Sequence, residues 1–243
     1  MRTLIVILLC MTYAVPSLSQ QKEKLKGKPD NIYECFEYLD VIFDDTAKYT
    51  FMTFPEEVST AKYHFGLGMW MRNNWGLWRD SQLKQSLIDS GYVHPDDMSS
   101  IILKAYHRQL NNQPLNVRED AEFYKKHWES QGNNAPSLDD MGIAKSTSPE
   151  PVDLTAYFPI GDTTLFSIYA THRKFFQNYA SGVRAHGVVL EHKDKQLVVK
   201  ITSIEQKKKH YPEREVGDTT DIHPSSCYLI PPVEWIEEQK AAQ

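Results

Sequence analysis

The chain has 243 residues, of which 41% are hydrophobic and 12% are aromatic, and its formal net charge is -5 at pH 7. This composition predicts a globular protein with at least one sizeable core and argues against an intrinsically disordered chain. An acidic chain without a basic stripe also argues against a protein that binds nucleic acid.

Residues 1–19 have the three parts of a secretory signal peptide. Arg2 precedes an apolar run that ends at Val15, and the small-residue segment 16–19 follows it. Such a segment directs export to the periplasm or the outside of the cell, and cleavage after Ser19 would release the mature chain. The apolar run is shorter than the roughly 20 residues of a membrane-spanning helix, so we expect no integral membrane span after cleavage. An uncleaved anchor is the alternative.

Two cysteines remain in the mature chain, because cleavage removes Cys10. A disulfide between Cys35 and Cys227 is one interpretation, since exported proteins can keep disulfides. We favour the other interpretation, in which both are buried thiols.

Helical periodicity dominates residues 30–130, after a flexible leader at 20–29. Capping residues and apolar spacing predict helices over 30–43, 55–78, 81–90, 95–110 and 117–128. Five helices with short connections predict an all-α domain.

The pattern changes after residue 130. Residues 131–154 are rich in Asn, Ser and Pro and predict a linker. Alternating hydrophobicity then predicts strands over 163–169, 187–191 and 196–204, two further strands near 221–223 and 227–230, and a helical turn over 173–179. Residues 155–235 are thus predicted to form a small all-β, SH3-like barrel, followed by a tail at 236–243. The expected fold class is α+β in two domains.

Tryptophan, glycine and polar side chains are most concentrated in residues 64–78, which include Trp70, Trp75 and Trp78. Gly66 and Gly68 lower helix propensity there, so we expect a ring or another backbone to approach them closely. Two interpretations are open for the polar and aromatic groups of this stretch. They satisfy one another in a core, or they form a ligand-binding surface, because Arg and Trp are favoured anchors of binding surfaces. The candidate ligand-binding residues are His64, Arg72, Asn73, Asn74, Trp75 and Trp78.

A second candidate surface lies in the barrel half, where SH3-like barrels commonly bind extended peptides in aromatic-lined grooves. Its candidate residues are Tyr169, His172, Tyr179 and Tyr211. The alternative is that these side chains close the open ends of the barrel.

Sequence motifs of catalysis are scarce. The chain contains no nucleophile elbow and no His-Glu-x-x-His zinc helix, so we assign no catalytic residues, metal ligands or cofactor. An enzyme remains the alternative if folding brings His64 together with Asp96 or Asp97 as an acid-base pair.

Several sequence motifs of the helical half resemble those of a bacterial family known as a domain of unknown function, number 6794. They include Arg-Asn-Asn-Trp at 72–75 and Pro-Asp-Asp-Met-Ser at 95–99. The resemblance covers about residues 30–130, and it implies a bacterial envelope protein with a domain boundary near residue 131. The family has no assigned activity, so the resemblance implies no catalytic residues.

These observations together predict a non-enzymatic, exported envelope protein that binds a peptide, a protein or a cell-wall component. A hydrolase or transferase that acts on envelope polymers is the second hypothesis. A periplasmic inhibitor or immunity protein is the third.

Overall fold

The structure is a computed structural model that describes residues 27–92, 94–130, 152–174, 177–205 and 210–241. The predicted signal peptide and most of the predicted linker lie outside these residues. The described part confirms the α+β prediction, because a helical region precedes an antiparallel sheet.

Seven α-helices form the first part of the described chain, and a π-helix at His64–Gly68 joins the third to the fourth. The α-helices are α1 (Ile32–Ile42), α2 (Asp45–Thr53), α3 (Glu56–Tyr63), α4 (Met69–Asn74), α5 (Gln82–Asp89), α6 (Pro95–Leu110) and α7 (Val117–Ser130). Side-chain caps on Asn31, Ser81 and His94 begin α1, α5 and α6 close to the predicted positions.

Helix α2 was not predicted from the sequence, because its buried face is partly polar. Lys48 and Thr50 are both buried there. The Lys48 ammonium pairs with Asp40 at 2.6 Å, and the Thr50 hydroxyl donates to the Thr46 carbonyl. Such a helix lacks the apolar stripe on which a sequence pattern depends.

The second part of the chain is a six-stranded antiparallel sheet with the order β4-β1-β2-β3-β5, in which β6 also pairs with β1. The strands are β1 (Thr163–Lys174), β2 (Gln177–Lys193), β3 (Gln196–Ile204), β4 (His210–Pro212), β5 (Thr219–Ile222) and β6 (Tyr228–Leu229). The predicted helical turn over 173–179 is wrong, because the described residues of that range belong to the long β1–β2 hairpin. Closure of the sheet into an SH3-like barrel stays a prediction.

Two buried clusters divide the core, and Phe54 of the helical part belongs to the cluster at the sheet. The first cluster lies among the helices around Trp75, Met98 and Tyr106. The second lies against the sheet, and Phe54, from the end of α2, is buried in it. The helical part therefore packs on the sheet.

Further contacts cross between the two parts of the chain. The Leu229 amide of β6 donates to the Thr50 hydroxyl at 2.8 Å. The last described helix is α8 (Val233–Ala241), most of which lies in the tail expected at 236–243. Its Trp235 ring packs edge-on against Tyr49 of α2. No helix of the described residues is long and apolar enough to cross a membrane.

Candidate functional site

Arg72 lies at the centre of a buried network. Its Nε is 2.8 Å from a carboxylate oxygen of Asp96, and its Nη1 donates to the Ser99 hydroxyl at 2.7 Å. Gly68 lies beneath the guanidinium, since a Cβ there would be only 3.3 Å from Arg72 Nη1. The close approach expected at Gly68 is thus made by an arginine, whereas the one expected at Gly66 is wrong, because nothing lies within 4 Å of a Cβ there.

The other candidates of this stretch divide into buried and exposed groups. Trp75 is 2% exposed and belongs to the helical core. Asn73 and Asn74 are exposed, as is Trp78, whose ring lies 5.8 Å from that of His94. Arg72 and Trp75 are therefore buried beneath the surface. Asn73, Asn74 and Trp78 are the candidates of this stretch whose side chains reach solvent.

His64 begins the π-helix and faces α6. Its Nδ1 lies 3.1 Å from the Ser100 hydroxyl. Partial burial, together with the positive charge of Arg72, lowers the pKa of His64. A neutral imidazole is thus favoured, and it can accept the Ser100 proton. The Asp96 and Asp97 carboxylates act on the same pKa in the opposite direction, and Asp96 is paired with Arg72.

Of the candidates in the sheet, Tyr169 is 74% exposed. The backbone register places His172 opposite Tyr179 and Thr171 opposite Tyr211. The side chains of His172, Tyr179 and Tyr211 lie outside the described part of the chain.

Cys35 and Cys227 are both buried, free thiols that belong to different clusters. Burial raises the pKa of each, to about 11 for Cys227. The structure therefore places them as buried thiols and forms no bridge between them.

A cleft with a volume of about 650 Å³ opens where α3 approaches the sheet. Its apolar walls come from Val58 and Ala61 of α3 and from Val152 and Leu154, which precede the sheet. Polar side chains from several elements converge on the same space. They are Lys62, Ser167, His223, Ser225, Ser226 and Tyr228. An apolar cleft with a few convergent polar groups is the usual form of a ligand site.

Lys62 is the charged group of this cleft. Its ammonium donates to the Cys227 carbonyl at 2.7 Å and lies 3.9 Å from the centre of the Tyr228 ring. Burial lowers the pKa of Lys62 to about 8. No Asp or Glu of the described residues pairs with it. Lysines in such surroundings usually have an anionic partner.

The loop between β5 and β6 forms the opposite wall. His223 precedes a short 3-10 turn, Pro224–Ser226, and its Nδ1 lies 2.7 Å from the Ser225 hydroxyl. The residue after this turn is Cys227, whose carbonyl accepts the hydrogen bond from Lys62, so the end of the loop lies beside Lys62. Among the described residues, no group of three or more His, Cys, Asp or Glu side chains is placed to hold a metal ion.

A protein-family model matches part of this chain. Residues 28–110 match the model of Domain of unknown function (DUF6794). The DUF6794 segment therefore begins just before α1 and ends with α6. The resemblance noted from the sequence is confirmed over this range, and α7 lies beyond it. No curated protein and no solved structure matches the chain.

The cleft is formed at the junction of the DUF6794 segment with the rest of the chain. Val58, Ala61 and Lys62 lie within the segment, whereas Ser167, His223 and Ser225 lie outside it. Sequence reasoning missed this site. Lys62 carries no local signal, because its unusual surroundings exist only once α3 packs against residues more than a hundred positions away.

Proposed function

We propose that this protein is a non-enzymatic, exported bacterial envelope protein that binds a peptide, a protein or a cell-wall component in the cleft between α3 and the sheet. The observation that carries the proposal is the cleft itself, which combines apolar walls with Lys62, a cation that has no acidic partner among the described residues. The DUF6794 family has no stated activity and adds no argument about the ligand.

Export is proposed from the sequence alone, because residues 1–19 have the form of a signal peptide. A mature chain that begins at Gln20 in the periplasmic fraction would support this part of the proposal. Recovery of the intact chain from the cytoplasm would contradict it.

A hydrolase or transferase remains the second candidate, and the contact between His64 and Ser100 favours it. A serine hydroxyl within hydrogen-bond reach of a neutral histidine is the start of a nucleophile-base pair. Asp96 and Asp97 both lie close enough to raise the pKa of His64, but Asp96 already pairs with Arg72, which weakens the case for a carboxylate that orients the imidazole. We therefore rank binding above catalysis.

The proposed function is tested by filling the cleft without removing a polar group. Ala61 is an exposed residue of the α3 wall, so Ala61→Trp places an indole in the cleft at little cost to the fold. Binding is measured by co-sedimentation with purified cell-wall sacculi and on an array of random peptides. We expect wild type to bind at least one of these probes, and Ala61→Trp to bind it about tenfold less tightly or worse, since an occupied pocket excludes its ligand.

Glu57→Trp is the matched control, because Glu57 is an exposed residue of the same helix that does not line the cleft. It should bind like wild type. Equal binding by Ala61→Trp, or no binding of wild type to any probe, would overturn the proposal. Release of soluble fragments from the sacculi, abolished by His64→Ala, would replace it with the enzyme hypothesis.

A further inference from the structure

We propose that the cleft recognises the terminal carboxylate of an extended peptide and that Lys62 is its counter-ion. This inference rests on the proposed function and specifies the chemistry of its ligand. It follows from the charge in the cleft and from an open position on the edge of the neighbouring strand.

The first argument is the unmatched charge of Lys62. An ammonium has three N–H donors, of which one donates to the Cys227 carbonyl and another faces the Tyr228 ring. These contacts hold the ammonium in place without neutralising it. A carboxylate that enters the cleft would supply the missing negative charge, and charge-assisted hydrogen bonds are stronger than neutral ones.

The second argument is a gap in the pairing of β1. On the edge of β1 that faces away from β2, β6 pairs with residues 164–165 and β4 pairs with residues 170–172. No described strand pairs with residues 166–168 on that edge. The Glu213 amide donates to the Tyr169 carbonyl, which therefore points out of this edge.

Alternate residues of a strand direct their backbone groups to the same side. The N–H and C=O of Ser167, two residues before Tyr169, must therefore face the same open edge. Ser167 also lines the cleft. An extended peptide can add to such an edge by main-chain hydrogen bonds, as in other cases of strand addition.

The third argument is the apolar wall of the cleft that Lys62 and Ser167 also line. Val58, Ala61 and Leu154 offer a surface for one or two small apolar side chains of the ligand. The carboxylate could belong to the C-terminus of a protein or to a cell-wall peptide. These sources share their chemistry and differ in the chirality of the terminal residue, which is L in proteins and commonly D in cell-wall peptides.

The test uses mixed libraries of N-acetylated tetrapeptides. They are made in matched forms, with a free terminal carboxylate or a terminal amide, and with an L or a D terminal residue. Each library is titrated into the isotope-labelled full chain, and the backbone amide shifts of Ala61, Ser167 and Ser226 are followed by NMR. We expect the carboxylate form to bind at least about tenfold more tightly than the amide, because a hydrogen bond between two charged groups is stronger than one to a neutral group.

Lys62→Gln removes the charge but keeps a donor for the Cys227 carbonyl, so it should bind both forms equally weakly. Lys104→Gln is the matched control, because Lys104 also lies over a tyrosine ring, that of Tyr124, and does not line the cleft. The preference of wild type for the carboxylate should weaken as the pH rises through about 8, where Lys62 loses its proton. His223, Tyr228 and the Cys227 thiol face the same region and are retained in Lys62→Gln, which should show no such change.

Three results would overturn the inference. Equal binding of carboxylate and amide by wild type would do so while leaving the proposed function standing. Absence of shifts with every library would also overturn the inference. If Ala61→Trp nevertheless lost binding to sacculi, the cleft would still be supported as a binding site. Concentration-dependent self-association that is lost in Lys62→Gln would identify a second copy of the chain as the occupant.

Discussion

Arg72 and Lys62 are both cations of the helical half, and the structure gives them opposite surroundings. Arg72 is 6% exposed and satisfied by Asp96 and Ser99. Lys62 has a carbonyl and a ring as neighbours but no carboxylate among the described residues. Removal of Arg72 would leave its partners without a donor, whereas Lys62 is the cation to which we assign the proposed ligand.

The structural role of Arg72 makes a prediction at the residue scale. Arg72→Met should lower the free energy of unfolding by about 2 to 3 kcal/mol, because it leaves the Asp96 carboxylate and the Ser99 hydroxyl without their donor. Urea denaturation measures the change. Arg79→Met, at the exposed position that follows residues 64–78, should stay within about 0.5 kcal/mol of wild type. An Arg72→Met variant with unchanged stability would return Arg72 to the list of ligand-binding candidates.

The structure contains two irregular elements, one in the helical part and one in the sheet. The π-helix His64–Gly68 interrupts what the sequence predicts as one helix over 55–78, and it joins α3, which carries Lys62, to α4, which carries Arg72. In the sheet, the register between β2 and β3 shifts between His186 and Gly187. Gly187 lies so close to β3 that a Cβ there would be 2.3 Å from a methyl group of Val199.

Gly187→Ala should therefore destabilise the sheet. The added methyl group would also lie 2.8 Å from the Lys200 carbonyl oxygen, so backbone as well as side chain must move. We expect a loss of about 3 kcal/mol in the free energy of unfolding, at the upper end of the usual cost of overpacking. Gly182→Ala in the same strand should cost less than about 1 kcal/mol, since its nearest contact would be an ordinary 3.6 Å. Thermal or urea unfolding measures the two losses, and equal losses would contradict the close approach of Gly187 to β3.

At the scale of the whole molecule, the helical part and the sheet share a core and several polar contacts. Phe54 is 1% exposed within the cluster that covers the sheet. Arg184 of β2 lies 3.2 Å from Asp44, at the start of α2. Because the cleft is formed between the two parts, its shape depends on this packing.

Phe54→Ala should consequently weaken the sheet although Phe54 belongs to the helical part. We expect a loss of about 3 to 5 kcal/mol, the usual cost of truncating a buried phenylalanine. Amide hydrogen exchange in β2 and β3 should accelerate with it. Phe65→Ala, at a residue that is 77% exposed, is the control and should leave exchange unchanged. Unaltered exchange in the sheet of Phe54→Ala would show that the two parts unfold independently.

The sequence alone predicts the classes of the elements and most of their positions. Helices α1, α5, α6 and α7 and strand β3 follow from apolar periodicity and capping residues, because those signals are local. Helix α2 and the long β1–β2 hairpin were missed. The first has a polar buried face, and the second contains residues 173–179, whose aromatic and polar composition favoured a helical turn.

The candidate binding residues could likewise be predicted only in part from the sequence. The sequence drew attention to residues 64–78 because unusual side chains are concentrated there, yet it could not decide which of them reach solvent. Burial of Arg72 depends on Asp96 and Ser99, and the surroundings of Lys62 depend on Cys227 and Tyr228. These partners are distant in the chain. Local sequence therefore determined the fold class and its elements, and only the tertiary structure decided which cation is a structural residue and which one faces a cleft.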